Sequence, residues 1–468
     1  MRYDALVIGA GMSGLAAGIR LAQAGKRVAI LERHYLWGGL NSFYKRAGRR
    51  FDTGLHALTN FVPRNTAGAP LTKILRQLRI PYDALELAPQ SFSETAFAVQ
   101  GQLVRLRYSN ELDLMRSEVA RLFPAESAGF DRLLASLPHY TGGTELERAA
   151  SARVRVAEFV RDPLLAEMLL VAPCFYGSAS EDDMSWGDFG VLFRSIHVEG
   201  MARPAGGIKA LLDLLIGRFE AEGGELRMRN GVARIEVRDG CARAVLLDDG
   251  TRLEAEQIFS SAGLVETRAL CGLDGAQDEH DIGRLSFVET ISVLDRAPHE
   301  LGYLATITFF NNGPTFRYAR PDDFIDATSG VINCPNNYAH KTPLPEGLLR
   351  VTAIANHARF AALGEAEYRA AKDRSVERML DAAAPFAFDP RPYSVERDSF
   401  SPTTIERFTG HRGGAIYGTP HKRRDGASGV AALHLIGTDA GQVGIVGALL
   451  SGIATANSAV LAPQGGAS

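Results

Sequence analysis

The stretch YDALVIGAGMSGLAAGIRLAQAGKRVAILE, residues 3–32, decides the fold class of the chain. Residues 3–8 form a short apolar run with β-branched members, which is typical of a buried parallel strand. A glycine turn follows at residues 9–14, and residues 15–24 are rich in alanine and leucine, which favour a helix. A second apolar run at residues 27–31 completes a strand–turn–helix–strand unit.

Three glycines occupy the turn with the spacing G-x-G-x-x-G. Gly9 permits the tight turn, Gly11 lets the backbone approach a pyrophosphate, and Gly14 lets the helix pack close to the strands. Met12 and Ser13 belong to the turn, and the helix that follows supplies N–H groups and the partial positive charge of a helix N-terminus, which attracts phosphate. The turn therefore predicts a phosphate cradle.

Glu32 closes the second strand, where an acid accepts hydrogen bonds from the diol of a ribose. Together with the glycine turn, this acid predicts a dinucleotide-binding site. Residues 1–32 taken alone suit NAD as well as FAD.

Length and composition indicate what kind of protein contains this unit. The chain has 468 residues, 46% of them hydrophobic and 22% charged, and chains of this length usually divide into domains. The net charge of −3 gives no reason to expect a nucleic-acid partner. The four cysteines show neither paired nor metal-ligand spacing, so we expect no disulfides, no metal site and a reducing, cytoplasmic compartment. No apolar run reaches the roughly 18 residues of a membrane-spanning helix.

Two further segments carry ordered patterns. Residues 204–224 have helical apolar spacing and stop at a Gly-Gly pair. Residues 231–261 alternate apolar and polar around two Asp-Gly turns, which predicts a three-stranded antiparallel meander whose last strand returns to the main sheet. Residues 433–436 predict another strand, and residues 445–461 a helix of small residues.

Beyond Glu32 the chain continues into Gly38-Gly39 and then into RFDTGLHAL, residues 50–58. In this order of motifs the sequence resembles the flavin amine oxidase and phytoene desaturase superfamily. The segment DTGLH is most similar to the branch of retinol saturases and carotenoid isomerases. The resemblance implies FAD as the cofactor. Many desaturases carry arginine after the Gly-Gly pair, where this chain has Leu40, and Arg33 is the alternative cation.

The segment GTDAGQVGIVGALLSG, residues 437–452, resembles the C-terminal flavin motif of the same superfamily. By this resemblance Gly437 follows a strand that presents Asp439 to a ribityl hydroxyl. The next helix would direct its amides at the pyrimidine edge of the flavin, where negative charge develops on reduction. The residues at its start are Gly444, Ile445 and Val446.

Two shorter stretches and the single residue Val232 agree with the resemblance. Residues 202–211 are similar to the family's P-x-G-G segment, and Val232 lies where backbone groups meet the adenine. Residues 406–418, ERFTGHRGGAIYG, resemble the substrate-domain segment that leads back to the flavin.

His56 is the one candidate catalytic residue. The resemblance implies that it lies close to the flavin ring, where it could hydrogen-bond or transfer a proton. The alternative is a structural histidine that orients the loop after the second strand. Asp52 is expected to bond the backbone of its own turn, and His411 is expected to be structural.

We therefore predict an α/β fold with a Rossmann-type FAD-binding domain, discontinuous in sequence and interleaved with an α+β substrate domain. The FAD-binding domain is expected to comprise residues 1–60, 200–265 and 425–468. The substrate domain is expected to comprise residues 61–199 and 266–424.

The expected function is that of an FAD-dependent oxidoreductase that desaturates, saturates or isomerises C=C bonds of an apolar polyene or isoprenoid. Two alternatives stay open. An amine oxidase-type enzyme would need an aromatic pair over the flavin, for which Tyr417 is the nearest aromatic. A non-catalytic prenyl-binding protein similar to the GDP dissociation inhibitors would not need the glycine turn, Glu32 or Asp439.

The expected partner is an apolar small molecule. An amphipathic patch would allow peripheral contact with a membrane. The oligomeric state is left open.

Overall fold

The computed structural model describes residues 2–54, 56–63, 66, 68–137, 144, 149–273, 275, 278–441 and 444–461. Of the motifs quoted above, Leu55, Gln442 and Val443 lie outside the described residues. The strands of the described part are, in chain order, β1 (Arg2–Ile8), β2 (Val28–Glu32), β3 (Phe43–Arg46), β4 (Arg49–Asp52), β5 (Leu58–Thr59), β6 (Leu87–Pro89), β7 (Ser93–Val99), β8 (Gln102–Tyr108), β9 (Met201–Pro204), β10 (Glu225–Met228), β11 (Val232–Arg238), β12 (Cys241–Leu247), β13 (Arg252–Ser260), β14 (Ser286–Leu294), β15 (Ile307–Asn312), β16 (Ser329–Asn333), β17 (Gly347–Ala355), β18 (Ser394–Phe400) and β19 (Leu433–Leu435).

The helices of the described part are α1 (Met12–Gln23), α2 (Pro70–Gln77), α3 (Leu112–Leu122), α4 (Ser127–Ser136), α5 (Ala152–Phe159), α6 (Pro163–Gly177), α7 (Trp186–Phe193), α8 (Gly207–Ala221), α9 (Leu264–Leu270), α10 (Asp278–Asp281), α11 (His357–Ala361), α12 (Glu365–Ala383), α13 (Pro402–Thr409) and α14 (Gly444–Ala456). Short π-helical segments follow α7 and α14. Among the helices that the structure describes, none has both the length and the apolar character needed to cross a membrane.

The first sheet has the strand order β10–β2–β1–β13–β12–β11, and β19 also pairs with β13. Strand β1 lies between β2 and β13 and is parallel to both. The first half of β13 pairs antiparallel with β12, and its second half pairs parallel with β19. The predicted meander with its return to the main sheet is therefore confirmed, and so is the α/β fold class.

Helix α1 begins inside the glycine turn, at Met12 rather than at the predicted residue 15. It is clamped at this end from two sides. A Cβ atom at Gly14 would lie 2.0 Å from the carbonyl oxygen of Gly9, and a Cβ atom at Gly452 of α14 would lie 2.1 Å from that of Ser13. Both glycines are thus required for close backbone packing, as predicted for Gly14.

The second sheet has the order β18–β14–β17–β16–β15–β7–β8. Its neighbours pair antiparallel except β15 and β7, which are parallel. One face packs under α6 and α7, and the other under α12. Its register aligns a row of five side chains across adjacent strands, which we call the floor row: Phe400, Glu289, Thr352, Val331 and Phe309.

The strands of the two sheets alternate along the chain in the order that the predicted segments follow, whereas the segment boundaries stay a prediction. One element packs differently from its assigned segment. Helix α2 lies within residues 61–199, yet Leu71, Ile74 and Leu75 pack into the core that contains α1 and α14. The division between the domains is therefore less sharp here than five sequence segments suggest.

The clamp on α1 generates a stability prediction. Gly452→Ala should lower the free energy of unfolding by about 1–3 kcal/mol, because its methyl group meets backbone rather than a yielding side chain. Thermal and urea unfolding would measure the change. Gly217→Ala is the matched control, since a Cβ atom there meets nothing within 4 Å; in a helix interior it should stabilise by about 0.5–1 kcal/mol. Equal stability of the two variants would contradict the clamp.

Candidate active site

A continuous cavity of about 740 Å³ is lined by residues of both sheets. Most of the predicted cofactor residues lie on its wall. These are Gly9, Gly11, Met12, Ser13, Glu32, Arg33, Gly38, Gly39, Leu40, His56, Val232, Gly437, Gly444 and Ile445. The fold thus brings residues from the two ends of the chain and from its middle to one space.

The glycine turn leaves room for a ligand at the N-terminus of α1. A Cβ atom at Gly11 would meet nothing within 4 Å, because this residue faces the cavity. The adjoining Gly38-Gly39 turn packs against it through a backbone hydrogen bond from Gly38 to Ala10. Since α1 directs its first amides at the same space, the turn fits a phosphate group.

Glu32 is held by the backbone on both sides. Its carboxylate accepts hydrogen bonds from the amides of Ala10 at 2.8 Å and His34 at 2.9 Å, one on each oxygen. Each oxygen keeps further acceptor capacity toward the cavity. This arrangement suits the predicted contact with a ribose diol.

Three predicted residues are not among the described residues that line the cavity: Gly14, Asp439 and Val446. Gly14 acts through packing instead. The buried Asp439 carboxylate accepts the amides of Leu264 at 2.6 Å and Thr419 at 2.8 Å. It thereby joins the start of α9 to the segment around Thr419, and Asp439 is not among the described residues of the cavity wall, so the predicted ribityl contact receives no support from its position and stays a prediction.

The cations near the cavity differ from the expected pattern. Leu40 lies on the wall, where many desaturases carry arginine. Arg33 also lines the cavity, but its guanidinium lies against Gly410 and donates to the carbonyl of Arg407 at 3.4 Å. Arg412, which the sequence analysis did not single out, is a further cation on the wall.

His56 faces the cavity with 19% of its side chain exposed. Its Nε2 lies 3.1 Å from Oε2 of Glu289, which also accepts the Thr352 hydroxyl at 2.9 Å. Arg350 donates to the other oxygen of Glu289 through its Nε at 2.8 Å and through a second nitrogen. A buried carboxylate with four donors thus lies beneath the imidazole.

The charges of this group follow from burial and pairing. Burial raises the pKa of Glu289, but the positive charge of Arg350 and the bond from His56 outweigh it and lower that pKa to about 2. Burial lowers the pKa of His56 more than its bond to Glu289 raises it. At neutral pH the group therefore comprises an ionised carboxylate, a guanidinium and a neutral imidazole.

The loop that carries His56 is fixed from below. The carbonyl of His56 accepts the hydroxyl of Tyr338 at 3.0 Å and Arg203 at 3.4 Å. Arg203 in turn forms a buried ion pair with Asp52 at 2.7 Å. The sequence predicts that Asp52 bonds the backbone of its own turn. Among the described residues its carboxylate instead accepts Arg203 and the amide of Ile208, because the start of α8 packs against it.

An aromatic chamber adjoins His56. Phe175 contacts Phe287 and Phe309 at ring-centroid distances of 6.0 and 6.2 Å, and Phe287 lies edge-on to Tyr417 at 6.1 Å. The Tyr417 hydroxyl donates to the carbonyl of Phe175, so it is not free to act on a ligand. The chamber is defined by Phe175, Tyr176, Phe287, Phe309, Val331, Ile416 and Tyr417, all on the cavity wall.

Sequence reasoning missed Glu289, Arg350 and the chamber. A signal for the first two exists, because each is the lone charge in an apolar strand, SFVETISVL and GLLRVTAIA. Two isolated charges of opposite sign in buried strands predict a buried pair. Phe175 and Tyr176 lie in a helix without strong apolar periodicity, so no sequence pattern marks them as wall residues.

The chain belongs to the flavin containing amine oxidoreductase family, whose model matches residues 12–460. This assigns the fold and the cavity to a class of FAD-dependent oxidoreductases, and the cofactor is FAD. The described residues fit that cofactor, since the open space at Gly11, the Glu32 carboxylate and the start of α14 border one cavity.

Among its relatives is prolycopene isomerase 2 of an Oncidium hybrid cultivar, 27% identical over 291 residues, which are 56% of this chain and 48% of that protein. The neurosporene-forming phytoene desaturase of Cereibacter sphaeroides is 29% identical over 284 residues, 55% of this chain and 52% of that one. The chain spans about half the length of these relatives. An oxidoreductase from Methanosarcina mazei has the same fold, with a TM-score of 0.67, 16% identity and coverage of 97% and 99%.

The opening at Gly11 generates a binding prediction. Its backbone angles, φ −76° and ψ 179°, suit alanine, so Gly11→Ala should leave the stability of the flavin-free protein almost unchanged. The methyl group would occupy phosphate space, and we expect at least a tenfold weaker flavin affinity, about 1.4 kcal/mol. Flavin content and Kd measure this, with Gly217→Ala as control. A variant that keeps wild-type affinity would show that the phosphate lies elsewhere.

Proposed function

We propose that this protein is an FAD-dependent oxidoreductase that forms, removes or rearranges C=C bonds in an apolar polyene or isoprenoid. The observation that carries the proposal is the aromatic chamber, which is continuous with the dinucleotide cradle. The names of its relatives, prolycopene isomerase and phytoene desaturase, support a substrate of this kind.

The chamber suits an apolar molecule in shape and in charge. Its aromatic and aliphatic walls exclude water and hold a ligand by burial of apolar surface. The Glu289 carboxylate of the floor row already has four donors, two of which belong to the Arg350 guanidinium. A substrate ammonium would therefore find no uncompensated negative charge there, which favours a neutral ligand over an amine.

Bound FAD supplies the redox chemistry, by exchanging a hydride equivalent with the substrate. The protein's own side chains position the substrate and exclude water. The floor row supports the substrate from the side of the second sheet, and Phe175 and Phe309 fix its approach. His56 is the titratable side chain at the boundary of chamber and cradle, and it can hold a proton that a change of C=C bonds releases or requires.

Anaerobic incubation tests the proposal. Oxidised holoprotein mixed with phytoene should lose its flavin absorbance if the reaction is desaturation, and reduced holoprotein should regain it if the reaction is saturation. Isomerisation should convert prolycopene without a net change of the flavin. Putrescine should leave the spectrum unchanged, because the chamber offers no free carboxylate.

Product analysis of the same mixtures supplies the second readout. Flavin-depleted Gly11→Ala protein should yield no product and is the control for non-enzymatic isomerisation. Reduction of the flavin by putrescine, together with no change of any polyene in either flavin state, would overturn the proposal in favour of an amine oxidase-type enzyme.

A further inference from the structure

The hydrogen bonds around His56 bear on which of its nitrogens carries the proton. An ionised carboxylate only accepts hydrogen bonds. The Nε2 of His56 lies 3.1 Å from Oε2 of Glu289, so this nitrogen must donate for the contact to be favourable. In a neutral imidazole the other nitrogen, Nδ1, then carries a lone pair.

The Thr352 hydroxyl allows one competing arrangement of the ring proton. The Thr352 hydroxyl lies 3.4 Å from Nε2 and could donate to it, which would move the ring proton to Nδ1. That hydroxyl is closer to Glu289, at 2.9 Å. A donation to Nε2 would also leave the lone pair of Nε2 facing the carboxylate at 3.1 Å. The shorter bond and the repulsion both favour Thr352 donating to Glu289.

The other ring nitrogen of His56, Nδ1, has no contact with the Glu289 carboxylate. His56 lines the cavity, and no bond from a described residue to its Nδ1 is found, whereas the backbone of the same residue is bound by Tyr338 and Arg203. The group beneath the ring is rigid, because Glu289 and Arg350 are each only 3% exposed. The ring is thus fixed on one edge and open on the other.

We propose that Glu289 is a positioning residue that holds His56 as the neutral Nε2–H tautomer and presents the Nδ1 lone pair to the cavity. The cavity then offers an acceptor at this point. It receives a hydroxyl or N–H donor of a bound molecule, or a proton, and does not donate one from the resting state. The donating nitrogen follows from the geometry, and the neutral ring follows from its burial; the use of the tautomer on an apolar substrate rests on the function proposed above.

The charged groups that face the ring are consistent with this state. Glu289 on β14 is paired with Arg350 on β17, and Arg203 on β9 is paired with Asp52. Each pair is formally neutral. A proton added to His56 would therefore be stabilised by Glu289 alone, against the cost of burying a new charge.

The experiment is long-range ¹H–¹⁵N NMR on ¹⁵N-histidine-labelled holoprotein, with His56→Gln to assign the signal among the eleven histidines. Wild-type His56 should show the Nε2–H tautomer over the whole neutral pH range. Glu289→Gln should convert it to a mixture of tautomers, because the carboxamide can donate as well as accept. Thr352→Val, which removes the other donor to the same carboxylate oxygen, should leave the tautomer unchanged.

Glu289→Gln leaves Arg350 buried without its partner, which destabilises the fold. A second variant therefore tests the tautomer without a lone buried cation. Glu289→Gln combined with Arg350→Gln removes the carboxylate without a lone buried cation, and it should also lose the single tautomer. A wild-type His56 that is Nδ1–H or doubly protonated at neutral pH would overturn the proposal, as would an unchanged tautomer in the double variant. Failure of the proposed function would appear separately, as an unchanged polyene beside an intact Nε2–H signal.

Discussion

Three backbone segments meet at the amino end of α1 at distances that leave no space for side chains. Gly14 brings the helix against the turn at Gly9, and Gly452 brings α14 against the carbonyl of Ser13. The direction of the first helical amides is thereby fixed relative to the C-terminal motif. The glycine turn, Glu32 and the start of α14 border one cavity because this contact holds the two ends of the chain together.

The second constraint is the ionised Glu289 carboxylate in an otherwise uncharged floor row. A lone buried charge would be costly, and the sheet meets that cost by register, which sets Arg350 and Thr352 on the strand next to Glu289. The same register brings aromatic residues to the ends of the floor row. The floor row thus carries aromatic rings at its ends, and its one carboxylate is paired with Arg350 and contacts His56.

Sequence could predict whatever depends on local order along the chain. Glu32 is the last residue of β2, and its place beside the phosphate cradle was predictable for that reason. The pairing of Glu289 with Arg350 was not, because it depends on the register of strands 61 residues apart. Asp439 illustrates the reverse case: its motif was identifiable, but its carboxylate is held by the amides of Leu264 and Thr419, which lie outside that motif. His56 lies on the cavity wall, its nearness to the flavin ring stays a prediction, and its protonation depends on neighbours that the motif does not contain.

The interleaving of the two sheets also sets the order in which the cavity is completed during synthesis. The glycine turn leaves the ribosome first, but β13, β19 and α14, which complete the same sheet and its clamp, follow much later in the chain. Contacts this distant in sequence form slowly, because a large loop must close before they are made. Until then the apolar faces of β1 and α1 are uncovered, a state that invites aggregation and chaperone binding. The site that begins at β1 can therefore close only after β13, β19 and α14 have been synthesised.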